Sequence, residues 1–151
     1  MVPILVVGHG GLADGFRDAV ELILGGAQEA FATLALRPED DPADLARRVE
    51  ATLDELGVSE AGEAVVLADL FGASPANAAT SLVLKRPAIQ VITGVNLAMT
   101  LELLVARQTA TAAELAELAL DRGRDGIRDA GATVRAALEQ ARQKQAAGET
   151  R

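Results

Sequence analysis

Three separate stretches of the chain carry residues able to do chemistry together. The first is Gly8-His9-Gly10-Gly11, which holds the single histidine among 151 residues. An imidazole attacks an electrophile through one neutral ring nitrogen while its other nitrogen donates a hydrogen bond. Glycines beside it leave room for a bulky electrophile, and their backbone N–H groups at a helix start suit an anion. The second stretch opens with Asp69, a carboxylate suited to accept that hydrogen bond, fix the tautomer and stabilise positive charge growing on the ring. Ser74, further along the same stretch, adds a hydroxyl donor. The third is Gly94-Val95-Asn96. Such parts suit transient phosphorylation of His9, in which catalysis is mainly positioning and charge stabilisation, and they also suit general-base chemistry on another substrate. The candidate site is His9 and Asp69 as the chemical pair, with Gly10, Gly11 and Ser74 as donors to an anion, and no metal or other cofactor is expected.

Each residue also has a plainer reading. His9 can simply satisfy a loop carbonyl, and Asp69 can cap local N–H groups at a strand end. Ser74, followed by Pro75, reads as a helix N-cap, and Asn96 reads the same way. Met99 reads as core, and Gly10 and Gly11 can serve the turn alone. What favours function is the common placement of these residues by the elements around them.

Those elements follow from the apolar pattern. Residues 3–7 form a continuous apolar run, as in a strand buried on both faces. Leu12, Phe16, Ala19, Val20, Ile23 and Leu24 recur at helical spacing and stop at Gly25-Gly26. Residues 30–36 read as a second strand. Asp41 then stands as N-cap before Pro42, and Leu45, Val49, Leu53 and Leu56 make a helical stripe ending at Gly57. Residues 64–68 are a third strand, followed directly by Asp69. A helix runs from Ser74 to about Leu84, a strand covers 88–92, and helices are expected over 97–106 and from Ala112, capped by Thr111. Residues 122–131 read equally as a short strand or as a helix continuation. Residues 133–147 read as an exposed helix or fraying extension.

Strands alternating with single helices imply a three-layer α/β/α fold with a mostly parallel four-stranded sheet. In such a sheet, ligands bind outside the carboxyl ends of the strands. His9, Asp69 and the 94–96 loop all fall at that edge.

Half of the residues are apolar, which suits a packed core, and one domain fits this length. The net charge of −8 repels a phosphate backbone, and three Phe with no Trp or Tyr supply few stacking platforms. Nucleic acid is not the expected partner. The sequence has no cysteine, hence no disulfide or thiolate metal site. No apolar run approaches the ~18 residues of a membrane span, and no signal-peptide pattern precedes the first strand. A cytoplasmic protein is expected.

One competing motif lies on the same glycines. Gly8-His9-Gly10-Gly11-Leu12-Ala13 fits the G-x-G-x-x-A dinucleotide fingerprint, after a strand and before a helix. The acidic residue expected after the second strand is missing; Leu36-Arg37 stands there, with Arg37 suited in principle to the 2′-phosphate of NADP. A small NADP-binding enzyme is the lowest-ranked reading.

The motifs resemble the IIA components of the mannose family of the bacterial sugar phosphotransferase system. Val7-Gly8-His9-Gly10 matches that family's strand ending in a Gly/Thr-His-Gly turn. Asp69-Leu70-Phe71-Gly72-Ala73-Ser74-Pro75-Ala76-Asn77-Ala78 matches its Asp-x-x-Gly-x-Ser-Pro-x-Asn-Ala motif, and Gly94-Val95-Asn96 its Gly-Val-Asn. The resemblance covers residues 2–130, implying a domain over 1–130 and a helical extension or tail over 131–151.

It implies a phosphotransferase whose His9 takes phosphate from the phosphocarrier HPr and passes it to a IIB component, with Asp69 supporting the histidine and Ser74 near the phosphate. It also implies a homodimer in which a fifth, antiparallel strand, here residues 124–130, crosses to the partner's sheet. The membrane enters only through a IIC/IID permease. Leu70 stands where Thr is frequent, Phe71 where Trp is frequent, Ala73 where Gly is common and Ala98 where Pro is frequent. No IIB segment follows in the sequence, so the expected acceptor is a separate polypeptide. Two alternatives share this chemistry: a regulatory module whose phosphorylation biases docking to a target, and a phosphotransfer subunit of a dihydroxyacetone kinase, whose members lack the Ser-Pro-x-Asn match.

Overall fold

A computed structural model describes residues 1–148 of the chain. Strand β1 (Ile4–His9) is followed by α1 (Leu12–Leu24), β2 (Phe31–Leu36) and α2 (Pro42–Glu55). Next come β3 (Ala64–Ala68), α3 (Ser74–Val83), β4 (Ile89–Thr93) and α4 (Leu97–Ala106), and then α5 (Ala112–Asp125) and α6 (Ala130–Gly148). The four strands form one sheet in the order β2-β1-β3-β4, with every pair parallel. Each crossover is a helix, as parallel pairing requires.

The continuous apolar runs of β1 and β3 are explained by two cores, one on each face of the sheet. Ile4, Val6, Val65 and Leu67 pack on one side with Phe16, Val20, Leu103 and Leu115 from α1, α4 and α5. Leu5, Val7, Ala64 and Val66 pack on the other with Leu45, Val49, Leu53, Ala79 and Leu82 from α2 and α3. The expected three layers are present. At roughly 25 cal/mol per Å² of apolar surface removed from water, these side chains supply the main driving force for the fold.

Several helix starts follow the expected chemistry. Thr111 accepts from the Glu114 N–H at 3.3 Å while the Glu114 carboxylate accepts from the Thr111 N–H at 2.8 Å, a reciprocal capping box. Asn96 caps α4 by accepting from Met99 N–H at 3.0 Å, and its Nδ2 donates to the Gly123 carbonyl at 2.8 Å, tying α4 to α5.

Three details differ from expectation. Strand β1 runs two residues further, to His9, because β2 continues alongside it and pairs Leu36 with His9. Helix α3 is capped by Ala73, with Ser74 already its first residue, since the Ala73 carbonyl is the acceptor for Asn77 N–H at 2.9 Å. Residues 124 and 125 finish α5, residues 126–129 link it to α6, and no fifth strand forms among the described residues. Helix α6 lies exposed along its described side chains, as expected of the tail. No described helix is long and apolar enough to cross a membrane.

Candidate active site

Parallel pairing of β1 between β2 and β3 brings the ends of these strands to one edge. His9 closes β1 and Asp69 directly follows β3, whose last residue Ala68 pairs with Val7. The Asp69 N–H donates to the Val7 carbonyl at 3.3 Å, extending that pairing to the site. Asp69 Oδ2 then accepts two hydrogen bonds from one residue. The His9 backbone N–H donates to it at 2.8 Å, and the His9 ring Nδ1 lies at 2.8 Å. Its other oxygen, Oδ1, accepts from Leu70 N–H at 2.8 Å.

This arrangement fixes the protonation pattern. The Asp69 side chain is only 10% exposed, and burial pushes its carboxyl up. The His9 backbone N–H, the His9 ring and the Leu70 N–H more than offset this, holding the carboxyl below its ordinary value. An ionised carboxylate only accepts, so Nδ1 carries a proton, and in the neutral ring the lone pair is then on Nε2. The His9 side chain is 47% exposed, in keeping with a group that meets a partner.

The glycines act in two ways. A Cβ on Gly8 would lie 3.3 Å from Asp69 Oδ2 and 3.6 Å from its Cγ, so the absence of a side chain lets the carboxylate close on His9. Gly10 takes φ +53°, a left-handed conformation that glycine adopts freely, and its N–H donates to the Leu36 carbonyl at 2.7 Å. Gly11 N-caps α1 without a side-chain hydrogen bond, and Ala73 does the same for α3. Two helices thus start beside the strand ends with first-turn amides that no cap side chain occupies, each the positive end of a helix dipole.

The structure brings His9, Asp69, Gly10 and Gly11 into one contiguous group. Ser74 sits half-buried at the start of α3, in the segment Asp69 opens, and its hydroxyl makes no hydrogen bond among the described residues. Asn96 is engaged as a helix cap and Met99 is core, as their plainer readings hold. Arg37 donates through Nη2 to Asp14 Oδ2 at 2.9 Å. The link Arg37–Asp14 spans 23 residues and has no sequence signal.

A histidine at the end of the first strand, held by a carboxylate from the third, is the geometry found here; comparison with known proteins gives it a family. The model of the PTS system fructose IIA component family matches residues 3–120. The chain belongs to that family. Among curated proteins, this IIA chain is 31% identical over 128 residues to the PTS system mannose-specific EIIAB component of Escherichia coli (strain K12), covering 84% of this chain and 39% of that protein. It therefore spans about two-fifths of the length of those mannose-specific relatives. It is 33% identical over 121 residues to the sorbose-specific EIIA component of Klebsiella pneumoniae, covering 78% of this chain and 83% of that one. Among solved structures, the IIA fold superposes on the mannose/sorbose specific IIA subunit of the phosphotransferase system from Enterococcus faecalis with a TM-score of 0.75 and 28% identity, covering 85% of this chain and 94% of that one.

Proposed function

We propose that the protein is a phosphoryl carrier of the phosphoenolpyruvate-dependent sugar phosphotransferase system, a phosphotransferase in which His9 Nε2 takes the group from HPr and passes it to a IIB component. The observation that carries this reading is the paired hydrogen bonding of His9 N–H and Nδ1 to Asp69 Oδ2, both at 2.8 Å. Nε2 attacks phosphorus as the P–N bond to the donor's ring breaks. The electron pair of that bond returns to the donor imidazole. Nδ1 keeps its proton throughout, so the positive charge that develops on the His9 ring faces the Asp69 carboxylate. Transfer onward reverses these roles.

The turn offers the phosphoryl oxygens the open amides at the start of α1, and Ser74 a hydroxyl at the start of α3. Docking is supported by Phe71, 85% exposed two residues from Asp69, together with the exposed Leu12 and Leu70. Exposed aromatic and aliphatic side chains around a reactive group suit a protein partner rather than a small substrate. The carrier works in the cytoplasm, where its donor is made, and reaches the membrane only through its IIC/IID permease. It acts as a homodimer, a reading supported by the outer edge of β4, which no strand covers among the described residues. Incubation with phosphoenolpyruvate, enzyme I and HPr should add one acid-labile phosphate to the protein and none to His9→Ala. An unmodified wild type, or equal labelling of His9→Ala, refutes the reading.

A further inference from the structure

The site's β3 side supplies an anion, Asp69, for the ring nitrogen that does not react; its β2 side supplies a cation. Leu36 is the residue of β2 paired with His9, and its carbonyl accepts from Gly10 N–H at 2.7 Å. Arg37 comes next, so its backbone leaves β2 at the level where the glycine turn leaves β1. Its backbone N–H donates to Asp40 Oδ2 at 2.8 Å, and Arg48 Nη1 binds the same Asp40 oxygen at 2.8 Å. The base of Arg37 is thus pinned while its guanidinium extends toward α1.

There it meets Asp14, in the first turn of α1. Arg37 Nη2 donates to Asp14 Oδ2 at 2.9 Å and Arg17 Nη2 to Asp14 Oδ1 at 2.7 Å. Two cations share one carboxylate. The sharing also means that Arg37 can leave without stranding Asp14, because Arg17 remains on it. Arg37 is half exposed, uses one of its five side-chain N–H donors in hydrogen bonds among the described residues, and has the planar fork that matches phosphate oxygens.

We propose that Arg37 is a further catalytic residue for phosphoryl transfer: as the group arrives on His9 Nε2, the Arg37 guanidinium exchanges Asp14 for the phosphoryl oxygens. This rests on His9 being the phosphoryl acceptor. The exchange makes no covalent bond; it places a cation against the charge spread over the equatorial oxygens of the transferring group. Asp14 serves as the parking site that keeps Arg37 ordered when the histidine is unmodified.

The test compares wild type with Arg37→Gln, Arg37→Lys and Asp14→Asn, each first checked by thermal melting to be folded. Single-turnover transfer from phosphorylated HPr should fall roughly ten- to a hundredfold in Arg37→Gln, the size of a lost charged hydrogen bond. Arg37→Lys, which keeps the charge and loses the fork, should fall between the two. Asp14→Asn, which frees the guanidinium, should transfer at least as fast as wild type. A second readout follows the second ionisation of the phosphohistidine by ³¹P NMR, which a merely structural arginine would not move. It should rise by roughly one pH unit in Arg37→Gln as the adjacent cation is lost. Unchanged transfer and unchanged ionisation in Arg37→Gln overturn the assignment of Arg37 while leaving His9 as carrier. Asp14→Asn as slow as Arg37→Gln also overturns it, since the ion pair itself would then be what matters. A wild type that accepts no phosphate overturns both.

Discussion

Replacing Asp69 with Asn keeps the size of the side chain and removes the charge, and its cost can be worked from three hydrogen bonds. Oδ2 accepts from both His9 N–H and Nδ1–H, and Oδ1 accepts from Leu70 N–H. A carboxamide has one accepting oxygen and one donating nitrogen. If its oxygen faces His9, its NH₂ opposes the Leu70 N–H. If it flips, the NH₂ opposes both donors of His9. The first orientation sacrifices fewer bonds, so the fold should survive and the ring should stay approximately in place. What is lost is the negative charge opposite a ring that becomes positive during transfer. A hydrogen bond to a charged group contributes about 1.5–3 kcal/mol, which corresponds to roughly ten- to 150-fold in rate. Rapid-quench transfer from phosphorylated HPr at saturating donor measures it directly. Transfer at the wild-type rate in a folded Asp69→Asn, or a loss confined to donor affinity, would refute the orienting role.

Other consequences follow from the same contacts. Because the folded Asp69 carboxyl lies below its ordinary value, its contribution to stability is present above the unfolded value of about pH 3.9 and fades as the pH falls through the folded one. The stability gap between wild type and Asp69→Asn, read by denaturant unfolding across a pH series, should therefore narrow in acid; a gap independent of pH contradicts this. Gly8→Ala would put a Cβ 3.3 Å from Asp69 Oδ2 and should slow transfer without affecting donor binding, as stopped-flow and titration together would show. Phe71→Ala, at a site already exposed, should weaken donor affinity by about 1 kcal/mol or more while leaving the melting temperature unchanged. Asn96→Ala removes the α4 cap and the tie to Gly123, so it should cost about 1 kcal/mol or more of stability in chemical denaturation.

Much of this arrangement was legible in the sequence, and the reasons are specific. The runs at 4–7 and 64–68 read as doubly buried strands because β1 and β3 are the two central strands of the sheet. The caps at Thr111 and Asn96 were legible because their bonding is local in sequence. Placement of His9 and Asp69 at one edge followed from the α/β alternation, without the strand order being known. Ser74-Pro75 reads as a cap one position away from Ala73, since a cap turns on which carbonyl is the first acceptor, and the dipeptide does not encode that. The extension of β1 to His9 depends on how far β2 continues beside it. The Arg37–Asp14 link was not legible, because it joins the end of β2 to α1 across 23 residues. Residues 122–131 stayed ambiguous because helix and strand compete in a segment with one large apolar residue, Ile127, which is exposed here.

A chain with one histidine makes the central claim directly measurable. Nitrogen-15 NMR of histidine-labelled protein, recorded before and after incubation with phosphoenolpyruvate, enzyme I and HPr, reports on a single ring. The account predicts a phosphoryl group bonded to Nε2, with Nδ1 protonated in both states. A ring that stays unmodified in the complete mixture, or one phosphorylated on Nδ1, contradicts it.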